Sequence, residues 1–131
     1  ILSGLVGSEM CIRDRLIGRV SLLGHVDDIN SLYRAADLFI LSSSWEGFGN
    51  VIVEALSFGL PIVSTDCLHG PSEILHGGSL GRLVPVGDYE RLAAAIVAEL
   101  NEETSSAWAR ISRSKDFSVD VVSKMYLSLV K

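Results

Sequence analysis

Cysteine, proline, positive charge and long apolar runs are all scarce in this chain. Cys11 and Cys67 are too few for a disulfide framework, so a reducing compartment is the expectation. No apolar run approaches the ~18–20 residues that a transmembrane helix needs, although an amphipathic surface could still touch lipid. Lys and Arg number 11 against 16 Asp and Glu, a formal charge of −5. The basic footprint of a nucleic-acid partner is therefore missing, and small ligands are expected instead. His25, His69 and His76 lack metal-ligand spacing, so no metal site is expected. Against these absences stand 131 residues that are 48% hydrophobic and 21% charged, the composition of one globular domain with a sizeable core.

The amino terminus fits that domain poorly. Residues 1–16, ILSGLVGSEMCIRDRL, show neither strand nor helix period. Met10-Cys11-Ile12-Arg13-Asp14 resembles the translation of a transposon adapter left at the ends of metagenomic reads. Residues 1–15 are accordingly expected to be a non-native or poorly ordered tail, with the domain, 16–131, starting near Leu16 in mid-gene.

From there short apolar runs alternate with helical patterns, which predicts an α/β fold with a Rossmann-like parallel sheet and flanking helices. Strands are expected at Val20–Leu23, Leu38–Leu41, Ile62–Thr65 and Arg82–Val84. Asp27 or Asp28 should cap a helix through Ala36 whose Ile29, Leu32, Tyr33 and Ala36 share one face. Asn50 should cap another through Phe58, stopped by Gly59. Pro71 opens a short helix that Gly77-Gly78 ends. Asp88 should cap a helix through Leu100 that buries Leu92, Ala95, Ile96 and Leu100. Helical patterns at about 102–114 and 119–130 follow.

Between Glu46 and Asp66 the only charge is Glu54, inside Val51-Ile52-Val53-Glu54-Ala55-Leu56. An ionised carboxylate is rarely buried without a partner, because desolvating it alone costs several kcal/mol. The plain reading is a half-solvated acid near a helix start. The sharper one joins it to Glu46. In an open parallel sheet ligands bind where strand carboxyl ends meet helix amino termini, and Glu46-Gly47-Phe48-Gly49-Asn50 is such a loop. Gly47 and Gly49 let backbone approach a ligand, and the free N–H groups of Gly49 to Ile52 suit a phosphate. A carboxylate on each side of a phosphate cradle suits a nucleotide sugar, which has hydroxyls on both sides of a diphosphate.

These residues also resemble a family. The Glu46-Gly47-Phe48-Gly49 start, Glu54 with seven residues between it and Glu46, the run Glu54 to Val63 (EALSFGLPIV) and the later Gly70-Pro71-Ser72-Glu73-Ile74-Leu75 look like glycosyltransferase family 4. Tyr33 to Ser42 (YRAADLFILS) and Gly81 to Asp88 (GRLVPVGD) match its pattern too. The resemblance covers about Val20 to Leu100 and implies part of the carboxyl-terminal, donor-binding domain of a GT-B enzyme. Carried over, Glu46 is the catalytic-site acid that contacts donor-sugar hydroxyls. Backbone of Gly47, Phe48, Gly49, Asn50 and Val51 holds sugar and diphosphate, and Glu54 accepts the ribose hydroxyls. Gly24, His25 and Val26 lie by the base, and the Gly70–Glu73 loop is a candidate donor-site wall.

The implied reaction retains anomeric configuration and moves a hexose or N-acetylhexosamine, from a UDP-sugar by expectation, to a glycan or lipid-linked acceptor. No cofactor or metal is expected, in keeping with the lack of an Asp-x-Asp motif. Localisation is expected to be cytoplasmic, with peripheral contact at the inner face of the membrane open for the full-length enzyme. The Gly-rich loop and basic pair of similar enzymes have no match before Leu16, and their acceptor domain is missing, so this fragment alone is expected not to turn over. A non-catalytic nucleotide-sugar-binding module and a GT-B epimerase stay open as alternatives.

Overall fold

The computed structural model describes residues 18–129. The expected tail at 1–15 and the domain start at Leu16 lie outside them. In order come α1 (Ile29–Ala35), β1 (Phe39–Leu41), α2 (Asn50–Ser57), β2 (Ile62–Thr65), α3 (Pro71–Ile74), a 3-10 turn (His76–Gly78), β3 (Arg82–Val84), α4 (Tyr89–Asn101), α5 (Ala107–Lys115) and α6 (Val119–Leu129).

The three strands form a parallel sheet in the order β1-β2-β3, with Phe39 opposite Ile62, Leu41 opposite Ser64, and Thr65 opposite Val84. All four residues of β2 are buried, as a central strand covered on both faces must be. Parallel pairing sends the loops after β1, β2 and β3 off the same edge of the sheet, and the candidate site stands on that edge. Beneath it, Ile52, Ala55 and Leu56 of α2 pack with Tyr33, Leu60, Ile62, Ile74 and Leu75 in one core.

The helix starts follow the expected chemistry in part. Asp28 caps α1, its Oδ1 accepting from Ser31 N at 3.3 Å, and Asp88 caps α4, accepting from Arg91 N at 2.9 Å. Asn50 does not cap α2: it is the first helical residue, and the cap is Gly49, with φ +87° in the left-handed region and no side-chain bond. A left-handed entry turns the chain more sharply than an Asn cap would, and glycine adopts it without a Cβ clash. Val20–Leu23 is not a strand. Among the described residues nothing pairs with it, and Leu22 and Leu23 are exposed; apolar composition without a ladder partner does not make a strand.

Helix α4 departs most from its pattern. Leu100 is 56% exposed, whereas Glu99 beside it is fully buried. The rest of the fold supplies what that acid needs. Thr104 N donates to its Oε1 at 3.0 Å and Thr104 Oγ1 to its Oε2 at 2.5 Å, while Arg82 Nε lies 2.8 Å from Oε2. That Arg82 contact is coulombic, because its N–H is poorly aimed at the oxygen. Of the expected apolar face of α1, Ile29 and the cap residue Ala36 are exposed, and so are Trp45 and Trp108.

Candidate active site

The loop between β1 and α2 is held from three sides. Thr65, at the end of β2, donates its hydroxyl to Ser43 O at 2.5 Å, and Ser43 Oγ donates to Glu46 Oε1 at 2.6 Å. The second bond is a short, charge-assisted one that fixes one oxygen of a half-buried carboxylate and leaves the other available. From the next loop, Gly70 (φ +93°) sits so close to the Phe48 carbonyl that a Cβ there would lie 2.0 Å from its oxygen. The Phe48 ring packs edge-on to Phe117 with ring centroids 5.3 Å apart.

At the start of α2 the Ile52 N–H is already used, donating to Gly49 O at 2.9 Å. The expected set of free donors therefore shrinks to Gly49, Asn50 and Val51, which make no backbone hydrogen bond outside the helix among the described residues. Gly49 is buried against Ile52 and Ile74, whereas Gly47 faces open space: a Cβ on it would meet nothing within 4 Å. The two glycines thus differ in kind, Gly49 serving the turn and Gly47 leaving room above it.

Glu54, one turn farther into α2, is exposed. It is thus solvated, as the plain reading has it, because its helix position faces out of the apolar run rather than into it. It nevertheless has a partner: the Tyr33 hydroxyl donates to Glu54 Oε2 at 3.0 Å. Tyr33 is buried, stacked on Phe58 at 5.3 Å and tilted against Phe39 at 6.0 Å. Burial, then the bond to Glu54 and that group's negative charge, push the Tyr33 phenol up from 10.0 to about 12. Sequence reasoning placed Tyr33 in the core and missed its polar tip; a buried tyrosine needs a hydroxyl partner, and that was the available signal.

The remaining site residues are less tightly built. Gly24 and His25 are exposed and Val26 is half-buried in the segment before α1, where His25 Nε2 lies 3.4 Å from Asp27 Oδ1. No side-chain hydrogen bond joins this turn to Glu46 or Glu54 among the described residues. Glu73 is exposed on α3, whose last carbonyls are held by Arg113: Nη2 donates to Glu73 O at 2.9 Å and Nε to Ile74 O at 3.0 Å. Arg113 also lies over the Phe117 ring at 4.4 Å, so α5 braces both α3 and the packing of Phe48. A groove of about 850 Å³ behind the loop is lined by Phe48, Glu73, Arg113, Phe117 and α6 residues, and neither Glu46 nor Glu54 lines it. Cys67 is buried, His69 is an exposed loop residue, and His76, also exposed, opens the 3-10 turn.

Residues 5–102 match the family model described as glycosyl transferases group 1. The chain is 31% identical over 133 residues to the lipopolysaccharide core biosynthesis mannosyltransferase LpsB of Rhizobium meliloti, covering 94% of this chain and 38% of that protein. It is 38% identical over 124 residues to a phosphatidyl-myo-inositol mannosyltransferase of Mycobacterium leprae, covering 86% of this chain and 33% of that protein. Among solved structures it is similar to Anabaena Alr3699/HepE in complex with UDP, with a TM-score of 0.86 and 28% identity over 98% of this chain and 37% of that one. The chain thus spans well under half the length of these relatives.

Proposed function

The chain belongs to the glycosyl transferases group 1 family, and on that footing we propose that it is the donor-binding part of a retaining, family 4 glycosyltransferase. Its parallel sheet with flanking helices is the α/β fold of GT-B enzymes. The reaction moves a hexose or N-acetylhexosamine from a UDP-sugar to a glycan or lipid-linked acceptor. The acceptor would be held by a domain outside this chain. Similarity to a UDP-bound structure supports the nucleotide, and similarity to enzymes named for lipopolysaccharide and phosphatidyl-myo-inositol supports the acceptor classes.

One observation carries the reading: Glu46 and Glu54 stand on either side of a left-handed helix entry whose first N–H groups are unused. The diphosphate lies over that entry, where N–H groups of Gly49, Asn50 and Val51 and the positive end of α2 favour an anion. Gly47 leaves the space it needs. The free oxygen of Glu46 takes donor-sugar hydroxyls, and Glu54 takes ribose hydroxyls. As the glycosidic bond to the diphosphate breaks, charge builds on the departing oxygen, and fixed N–H dipoles stabilise it without reorganising. The turn Gly24-His25-Val26 supplies main-chain groups toward the base. No step calls for a metal or cofactor. Where the full-length enzyme meets a lipid-linked acceptor it does so peripherally at the inner face of the membrane; no helix among the described residues is long and apolar enough to cross one.

Titration of UDP into the isotopically labelled chain tests this. Amide shifts should concentrate at Gly47 to Val51, with weak, millimolar-range affinity that Glu54→Ala weakens further. No response in this loop, or unchanged affinity in Glu54→Ala, overturns the reading.

A further inference from the structure

We infer that Tyr33 is a positioning residue for the nucleotide, holding Glu54 so that one carboxylate oxygen is reserved for the ribose. The inference rests on the donor-site reading above and extends it to a residue outside the loop. Glu54 is exposed on α2, and an exposed glutamate on a helix samples several rotamers about three torsions. A ligand that needs it in one of them must then order it on binding. The Tyr33 hydroxyl removes that freedom beforehand by donating to Glu54 Oε2 at 3.0 Å, and Oε1 has no hydrogen-bond partner among the described residues.

The anchor is itself rigid. Tyr33 is only 6% exposed, and Phe58 and Phe39 fix its ring on two sides. Its hydroxyl is the single polar atom that this aromatic cluster presents to Glu54. With the phenol's ionisation pushed up to about 12, the group stays a donor throughout the neutral range. The contact spans 21 residues and joins α1 to α2, so nucleotide recognition by α2 is set partly by the core beneath it.

Tyr33→Phe deletes the hydroxyl and keeps the ring stack. The probes are UDP and 2′,3′-dideoxy-UDP, titrated into the chain with dissociation constants read from the loop amide shifts. The parent should prefer UDP, and Glu54→Ala should abolish that preference. Tyr33→Phe should cut the preference by about 3–10-fold, the range of one net hydrogen bond, while affinity for the dideoxy nucleotide stays within about 2-fold of the parent. Weakening of both nucleotides alike would mean a structural role only and overturn the inference, as would an intact preference in Tyr33→Phe. If Glu54→Ala keeps the preference, the donor-site assignment of Glu54 fails instead, which separates the two failures.

Discussion

Replacing Gly70 by alanine should damage this protein more than any other single methyl group added near the site. The new Cβ would stand 2.0 Å from the Phe48 carbonyl oxygen, 2.6 Å from its carbon and 3.2 Å from Phe48 Cα. Reaching even 3.0 Å from the oxygen requires the two backbones to separate by about 1 Å. Neither has a flexible end to give, since Gly70 O already accepts from Ile74 N at 2.8 Å and Phe48 is packed on Phe117. The φ of +93° adds backbone strain of ~1–3 kcal/mol for a residue with a side chain. Displacing packed backbone adds ~1–3 kcal/mol more, for a total of about 4 kcal/mol. With an unfolding entropy of about 0.28 kcal/mol/K for a chain of this length, that lowers the melting temperature by about 15 °C. Gly47→Ala is the internal contrast: nothing lies within 4 Å of its Cβ, and its melting temperature should move by less than about 2 °C. That methyl fills the space assigned to the diphosphate, so the UDP response of the loop should vanish in a fully folded protein. Circular-dichroism melts and amide titrations of both variants decide the matter. A Gly70→Ala protein melting within about 3 °C of the parent would refute the close-approach argument, and undiminished UDP shifts in Gly47→Ala would refute the assignment of the space above the loop.

Other perturbations test the remaining parts. In the full-length enzyme, Glu46→Ala should lower kcat by about 100-fold with a much smaller change in nucleotide affinity, measured by steady-state kinetics and UDP binding. The Tyr33 contribution to stability should be constant below pH 10 and be lost between pH 10 and 12, because the unfolded phenol ionises at 10.0 while the folded one holds its proton to about 12. The loss amounts to at most ~3 kcal/mol, and Tyr33→Phe should lack this part of the alkaline decline in denaturant melts. Arg110 is 1% exposed and donates to Gly59 O at 2.9 Å and Glu103 Oε2 at 2.6 Å; Arg110→Ala should cost about 3 kcal/mol by urea unfolding, since the buried Gly59 carbonyl just past α2 loses its donor and the ion pair to Glu103 is broken.

Much of the fold is legible locally. Ile62–Thr65 reads as a strand because four small or branched residues stand between Pro61 and Asp66, and Asp88 announces α4 because an N-cap needs only its own turn. Glycine spacing likewise points to the loop after β1. What local pattern misses is where distant chain supplies partners. Periodicity buries Leu100, yet Glu99 goes inside, because Arg82 on β3 offsets its charge and Thr104 beyond the helix donates hydrogen bonds to it. Val20–Leu23 has strand composition but finds no ladder among the described residues.

The same distinction explains the site. Glu46 and Glu54 stand out in the sequence as charges beside glycines and inside an apolar run, but the argument from burial picks Glu54 for the wrong reason, since it is exposed. The acid that meets the desolvation argument is Glu99, which is fully buried and held by structural partners. Exposure is what a ribose acceptor requires, and restraint is what distinguishes it from an ordinary surface acid. Both restraints come from afar: Thr65 reaches Ser43 across 22 residues to set Glu46, and Tyr33 reaches Glu54 across 21. Each passes from the hydrophobic core to one oxygen of one carboxylate and leaves the other oxygen available. On the donor-site reading proposed above, the rigidity of the site lies in β2 and α1, so substitutions that loosen those elements should weaken nucleotide recognition without touching Glu46 or Glu54.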